Sequence, residues 1–170
     1  MMEHSVYLSL GSNMGDRFEN LRQGHQRLAV HPQIVVQKVS AYYQTSPVGG
    51  VVQDDFINQA MLIQTSLSGE ELLDYIHEIE AELLRKRVII WGPRTLDIDI
   101  LFYDKLESDH PDLTLPHPEV FNRLFVLIPL QEIVEKDFIY HQDITEAIAK
   151  LEATTNQRIE RVDKNDRIKP

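Results

Sequence analysis

The chain contains no cysteine. That removes disulfides, thiol nucleophiles and cysteine-ligated zinc together, and it fits a reducing compartment. Long apolar runs are missing as well: stretches such as Val88–Trp91 and Phe125–Leu130 fall far short of the roughly 20 residues that a membrane-spanning helix needs. The opening residues, MMEHSVYLSLGSN, carry Glu3 and only a short apolar stretch, so they read as neither a secretory signal nor an anchor. Basic charge is scarce, 17 Lys and Arg against 27 Asp and Glu, and the net charge of −10 argues against a broad nucleic-acid or anionic-membrane footprint. There is neither a GxxxxGK[ST] loop nor a GxGxxG turn, so a nucleotide would not be held in a P-loop or a Rossmann crevice. No Ser, His and Asp constellation suggests nucleophilic catalysis.

What remains is an ordinary globular composition, 42% hydrophobic and 26% charged over 170 residues, enough for one core. Residues 1–170 are read as a single domain, cytoplasmic by default. A monomer is expected, because no long apolar stripe is left over after the core is assigned.

The spacing predicts a strand through Ser5–Asn13, then a helix opened by Gly15 and Asp16 with Phe18, Leu21, His25 and Leu28 inward and Pro32 beyond its end. A second strand, Ile34–Ser46, is stopped by Pro47, Gly49 and Gly50, and a loop leads to a third strand from Phe56. Ser68 and Glu71 form a capping box before a helix with Leu72, Leu73, Ile76, Ile79 and Leu83 on one stripe. A fourth strand follows at Thr95–Tyr103. The order strand, helix, strand, strand, helix, strand predicts an α+β fold, a ferredoxin-like βαββαβ sheet with both helices on one face and the other free for ligands. A C-terminal helical appendage is expected to include Asp143–Leu151, capped by Asp143 and Glu146. The segment Asp104–Arg123 has too little periodicity to place, and the last residues are expected to fray.

The fourth strand raises the chemical question. In WGPRTLDIDILFYD, Trp91–Asp104, the residues Leu96, Ile98, Ile100 and Phe102 alternate onto one face, leaving Asp97 and Asp99 together on the other. Two residues of rise separate them by roughly 7 Å, and Asp is a residue that strands disfavour. Alternating Asp is commonly just the solvated side of an edge strand. Here, however, Arg85, Lys86, Arg87 and Arg94 are concentrated next to the pair in an otherwise acidic chain, which suits a compact polyanion bound with a metal. Carboxylates at this separation make a poor zinc site and a good hard-cation site, since magnesium takes oxygen ligands and keeps positions for water and phosphate. Such a pair can also bridge two metals.

WGPRTLDIDILFYD resembles the signature of the 6-hydroxymethyl-7,8-dihydropterin pyrophosphokinase family. LSLGSNMGD at Leu8–Asp16 is similar to that family's opening, YQTSPVGG with DDFINQA to its pterin loop and following strand, and LPHPEVFNRLFVLIPLQEI to its late segment. The likeness runs in order from Ser5 to Glu135. It implies transfer of the pyrophosphoryl group of ATP to the hydroxymethyl of a reduced pterin, giving AMP and a pterin diphosphate for folate synthesis. It also implies two Mg2+ ions on Asp97 and Asp99, with Arg85, Arg87 and Arg94 on the triphosphate. Arg85, Arg94, Asp97 and Asp99 would form the catalytic set. Phe56 and Phe125 would sandwich the pterin, Asn58 would read its edge, and the backbone of Thr45 and Val48 would complete its recognition. Glu80, Ile100, Thr114, His117 and Arg123 match nucleotide or active-site positions. Val88, Ile89 and Ile90 depart from the pattern, because members commonly carry further basic residues there.

Each residue also has an ordinary role available. Phe56 and Phe125 could be core, Glu80 a solvated helix residue, His117 a turn residue between prolines, and Arg85–Arg87 the polar end of a helix. GSNMGD could approach an anion or be only a strand-to-helix turn. Two other function classes stay open: a nucleotidyl transferase or cyclase, which also pairs aspartates but releases pyrophosphate, and a non-catalytic small-molecule binding module.

Overall fold

The structure, a computed structural model, describes residues 2–46, 55–86 and 95–163, with Arg85 and Lys86 described by backbone alone. Its main sheet is antiparallel at every described pairing and runs β5-β1-β4-β3-β8, with β2 also paired to β4. The strands are β1 (His4–Ser12), β2 (Ile34–Val39), β3 (Tyr42–Thr45), β4 (Phe56–Thr65), β5 (Asp97–Tyr103) and β8 (Ile159–Val162); β6 (Ser108–His110) and β7 (Leu113–Leu115) form a separate hairpin. Among the described residues four α-helices complete it, α1 (Arg17–Val30), α2 (Gly69–Lys86), α3 (Leu124–Ile133) and α4 (His141–Glu152). No described helix is long and apolar enough to cross a membrane.

Period-two patterning in the strands divides the interior into two cores. Val6, Leu8 and Leu10 of β1, Ile57, Met61 and Ile63 of β4 and Ile98 and Ile100 of β5 pack against Phe18, Leu21 and Leu28 of α1 and Leu72, Ile76, Ile79 and Leu83 of α2. Each such side chain contributes on the order of 1.5–3 kcal/mol on burial. On the opposite face Tyr7, Ala60, Leu62, Leu101 and Phe102 pack against α3 and α4 through Leu124, Val126, Leu127, Leu130, Ile144 and Ile148.

The second core corrects the expectation of a free face. The C-terminal helices are a layer rather than an appendage, and the part of the sheet near Thr45, Asn58 and Asp97 opens into a cavity beside them. The assignment of Phe102 is also corrected. β1 pairs Leu8 with Ile100 but Tyr7 with Phe102, so Leu101 is the extra residue of a β-bulge and the alternation reverses there. Phe102 therefore faces the α3 and α4 side, unlike Ile98 and Ile100.

The expected second strand is two strands, broken at Ser40 and Ala41. Glu132 of α3 fills the break: its carboxylate accepts from the Ala41 N–H at 2.9 Å and from the Tyr43 hydroxyl at 2.7 Å. Desolvation, then the bond to Glu132, pushes the Tyr43 hydroxyl up to about 12, so it remains a donor at neutral pH. α1 is capped by Asp16, which accepts from the Glu19 N–H at 3.1 Å, and Gly15 takes φ 66° in the preceding turn, a conformation glycine adopts without strain. GSNMGD is thus a capped strand-to-helix turn, tied by buried Asn20, whose Nδ2 donates to Ser12 Oγ and the Met14 carbonyl. His25 is half-buried against β2 rather than in the core, and desolvation lowers its pKa. α4 begins two residues before Asp143, with Tyr140 at its cap and Asp143 in its first turn; there the carboxylate acts on the helix dipole instead of closing a cap.

The capping box of α2 is formed as its spacing predicts. The Ser68 N–H donates to Glu71 Oε1 at 2.9 Å and the Glu71 N–H donates to Ser68 Oγ at 3.1 Å. These bonds hold the Glu71 carboxyl below its ordinary range. Ser68→Ala is expected to cost about 1 kcal/mol, read as a lower urea midpoint at unchanged m-value; an unmoved midpoint would show that the box adds nothing to stability.

Candidate active site

Three neighbouring strands build one row of residues. Gly11 of β1 pairs with Asn58 of β4 on one side and with Asp97 of β5 on the other, while Ser9 pairs with Ala60 and Asp99. Asn58 and Asp97 therefore stand two strand spacings apart, roughly 10 Å, with no side chain between them. A Cβ at Gly11 would lie 2.7 Å from Asn58 Oδ1. The glycine is what leaves a floor between an amide and a carboxylate, and it is the site residue most easily overlooked, since a lone glycine near a strand end carries a weak signal.

Above that floor lies a cavity of about 570 Å³ lined by Ser9, Gly11, Thr45, Ser46, Phe56, Asn58, Asp97, Asp99, Asn122, Arg123, Phe125, Val126, Thr155 and Gln157. Phe56 comes from the start of β4 and Phe125 from the first turn of α3, and both are half-buried rather than core. The Arg123 guanidinium carbon lies 6.0 Å from the centre of the Phe125 ring, within cation–π range. Asn58 is 3% exposed, and its Nδ2 donates to Thr45 Oγ1 at 3.2 Å, which fixes the amide and leaves its remaining groups for a ligand. Around the N-terminal end of β4, Arg17 Nη1 donates to the Asp55 carbonyl at 2.7 Å and Gln44 Nε2 to the Asp55 carboxylate at 2.8 Å. These bonds hold the chain where it delivers Phe56.

A second cavity, of about 320 Å³, lies on the outer edge of β5 and is lined in part by His77, Glu80, Asp97, Asp99, Ile100, Thr114 and His117. Asp97 and Asp99 thus border both cavities. Glu80 reaches from α2 to accept the Ile98 N–H at 2.9 Å, between the two aspartates. The His117 N–H donates to the Leu101 carbonyl at 2.9 Å, on the bulged residue, and His117 Nδ1 accepts from the Glu119 N–H at 3.0 Å. The neutral imidazole accordingly carries its proton on Nε2.

Of the residues singled out in the sequence, Thr45, Phe56, Asn58, Phe125, Arg123, Asp97 and Asp99 converge on the larger cavity, and Glu80, Ile100, Thr114 and His117 join the two aspartates around the smaller one. Val48, Arg87 and Arg94 lie outside the described residues, as do Val88, Ile89 and Ile90, and the Arg85 side chain is likewise not described. Sequence reasoning does not single out Ser9, Gly11, Ser46, Asn122, Val126, Thr155 and Gln157 at the larger cavity or His77 at the smaller one. Among the described residues no group of three or more His, Asp or Glu converges as a metal site. Asp97 and Asp99 supply carboxylate oxygens, the donor type that hard cations accept.

Residues 7–135 match the family model described as 7,8-dihydro-6-hydroxymethylpterin-pyrophosphokinase (HPPK). The chain is 54% identical over 147 residues to the bifunctional protein FolKE of Lactococcus lactis subsp. cremoris, covering 86% of this chain and 42% of that protein. It is 46% identical over 135 residues to the 2-amino-4-hydroxy-6-hydroxymethyldihydropteridine pyrophosphokinase of Bacillus subtilis, covering 79% and 81%. A crystal structure of wild-type Plasmodium falciparum HPPK-DHPS with pterin and p-hydroxybenzoate shares the fold at a TM-score of 0.62 and 16% identity, over 86% of this chain and 43% of that one. The chain spans less than half the length of the two Lactococcus lactis relatives.

Gly11→Ala should overpack the site floor. A loss of about 1–3 kcal/mol in unfolding free energy is expected, with the Asn58 amide displaced from Thr45 in a crystal structure of the variant. An unmoved Asn58 would show that the glycine is not what keeps the floor open.

Proposed function

This chain belongs to the 7,8-dihydro-6-hydroxymethylpterin-pyrophosphokinase family, and from that premise we propose that it transfers the pyrophosphoryl group of ATP to the hydroxymethyl of 6-hydroxymethyl-7,8-dihydropterin in folate synthesis. One observation carries the reading beyond the family: two cavities of different character share Asp97 and Asp99 as their common border. A transfer between two substrates needs such a border.

The larger cavity suits the acceptor. Phe56 and Phe125 offer faces for a flat heterocycle. Asn58, held by Thr45, reads its donor and acceptor edge, and the Val48 backbone belongs to the same proposal. The smaller cavity suits the nucleotide, with Ile100 on the open edge of β5 and Thr114 and His117 supplying polar groups. Glu80 positions the strand between the carboxylates through the Ile98 amide. Arg123, which lines the larger cavity beside Phe125, is proposed to face the transferred group, and Arg85, Arg87 and Arg94 are proposed for the triphosphate, where a guanidinium fork matches phosphate geometry.

The pterin hydroxymethyl oxygen attacks the β-phosphorus of ATP in line. The new oxygen–phosphorus bond forms as the bond from the β-phosphorus to the oxygen bridging it to the α-phosphorus breaks. AMP departs with that electron pair, and the hydroxyl proton passes to solvent. Positioning and charge stabilisation carry such a reaction, so a dedicated base is not required. Asp97 and Asp99 would hold Mg2+, two ions in this reading, supplying neutralisation of phosphate charge when bound. The half-buried, all-oxygen pair between two cavities is the donor chemistry that magnesium accepts.

A ferredoxin-like βαββαβ topology is part of this reading, supported by the antiparallel order β5-β1-β4 followed by β2 and β3. So are a single catalytic domain over residues 1–170, a cytoplasmic location, and action as a monomer, for which lining of both cavities by one chain is sufficient.

The deciding experiment incubates the protein with 6-hydroxymethyl-7,8-dihydropterin, ATP and magnesium and separates the nucleotides. Stoichiometric AMP with a pterin diphosphate is expected. Pyrophosphate release would favour a nucleotidyl transferase, and unconsumed ATP a binding module. Asp97→Asn and Asp99→Asn should each remove magnesium-dependent turnover by at least about a thousandfold while circular dichroism stays unchanged; wild-type rates in either would end the metal assignment. Phe125→Ala should weaken pterin binding about tenfold or more at unchanged ATP affinity, whereas equal losses would point to core damage.

A further inference from the structure

The family model ends at residue 135, yet two residues well beyond it, Thr155 and Gln157, line the larger cavity. They stand on the segment that leads into β8, the edge strand paired with β3 so that Ile159 faces Thr45. Thr155, Gln157 and Ile159 are half-buried while Asn156, Arg158 and Glu160 are exposed. This alternation is that of an extended segment with one side turned inward.

The same segment engages all three polar groups of Ser46. The Ser46 N–H donates to the Arg158 carbonyl at 3.3 Å, the Arg158 N–H donates to Ser46 Oγ at 3.3 Å, and Gln157 Nε2 donates to the Ser46 carbonyl at 3.0 Å. Ser46 follows Thr45, whose Oγ1 accepts from Asn58. A chain of bonds thus runs from Gln157 through Ser46 and Thr45 to the buried amide on the cavity floor. The Gln157 backbone N–H also donates to Thr155 Oγ1, on the same segment, at 3.1 Å. That bond leaves the Thr155 hydroxyl proton to be directed elsewhere, and donation by Gln157 Nε2 leaves the Oε1 of the same amide as an acceptor.

Resting on the assignment of this cavity to the pterin, we propose that the C-terminal return is a third wall of the acceptor site. Gln157 is a positioning residue that fixes Thr45 and Ser46, and Thr155 with the Gln157 amide oxygen offers a donor and an acceptor to the polar rim of a flat heterocycle. Acceptor recognition thereby depends on residues that lie outside the segment carrying the transfer chemistry. Removing the Gln157 side-chain amide takes away its Nε2 bond to the Ser46 carbonyl and lets the Asn58 amide turn, which weakens the heterocycle's hydrogen bonds without touching the nucleotide side.

Three variants in the full chain test this: Gln157→Met, which keeps length and packing but removes both polar groups, Gln157→Ala, and Thr155→Val, isosteric without the hydroxyl. Equilibrium binding is measured for 6-hydroxymethyl-7,8-dihydropterin and, separately, for a non-hydrolysable ATP analogue with magnesium, alongside steady-state kinetics and unfolding. Both Gln157 variants should raise the pterin Kd and KM about tenfold and Thr155→Val about threefold, with analogue Kd and kcat within about twofold of wild type. Equal losses for both ligands with a lowered unfolding midpoint would overturn the proposal in favour of a merely structural strand. Unchanged pterin affinity in all three, where Phe125→Ala still weakens it, would overturn the third wall and leave the pterin site standing. If Phe125→Ala also leaves pterin affinity unchanged, the assignment of the cavity fails and the proposal falls with it.

Discussion

The two-sided hydrogen-bond register of β1 is the constraint on which the site depends. β1 is paired along its length with β4 and, over most of it, with β5, so its position is set from both edges at once. That pairing puts Gly11 between Asn58 and Asp97, and Ser9 between Ala60 and Asp99. A slip of one residue would turn every side chain to the other face. A slip in β1 would send Leu8 and Leu10, both fully buried, toward the cavity, and the same slip in β5 would turn its aspartates toward α1 and α2. The cost of exposing that apolar set and burying two carboxylates is what keeps the chemical groups together. Stability of the first core and the geometry of the site are therefore one requirement.

The bulge at Leu101 lets a single strand serve two cores. Up to Ile100 the apolar side of β5 faces α1 and α2; from Leu101 and Phe102 it contributes to the layer under α3 and α4. The change comes directly after the aspartates, so the strand presents carboxylates to the cavities where the second layer is absent and aromatic rings where it begins. Phe102 stacks on Tyr140 with centroids 5.0 Å apart, and Phe138 meets Phe102 and Tyr7 at 5.0 and 4.9 Å. This aromatic cluster seats the helical layer whose first turn carries Phe125. On its open edge β5 is held by Glu80 at Ile98 and by His117 at Leu101, which occupies backbone groups of an otherwise unprotected strand edge.

Much of the first core could be read directly. Helices α1 and α2 and strands β1, β4 and β5 follow from periodicity, and the Ser68–Glu71 box marked the start of α2, because those signals are local. The aspartate pair was legible for the same reason, since alternation on one strand is a property of neighbouring residues. Less legible were the β2–β3 break, which depends on a carboxylate arriving from α3 at Glu132, and the bulge, which is a relation between two strands. From sequence the layer formed by α3 and α4 looks like an appendage, because its burial partners, Tyr7, Leu62 and Phe102 among them, are far away in the chain.

By itself, then, the sequence determined which residues form helices and strands in the first core, that two carboxylates share one strand face, and which motif family the segment Trp91–Asp104 resembles. Only the tertiary structure decided that those carboxylates border two cavities, that Gly11 is the gap between them and Asn58, and that the chain's end supplies a wall. The Gln157–Ser46 hydrogen bond spans 111 positions, and the β1–β5 register joins residues nearly as distant. Such contacts leave no local pattern, because what selects them is the closing of two apolar cores around one sheet rather than any preference of the residues that touch.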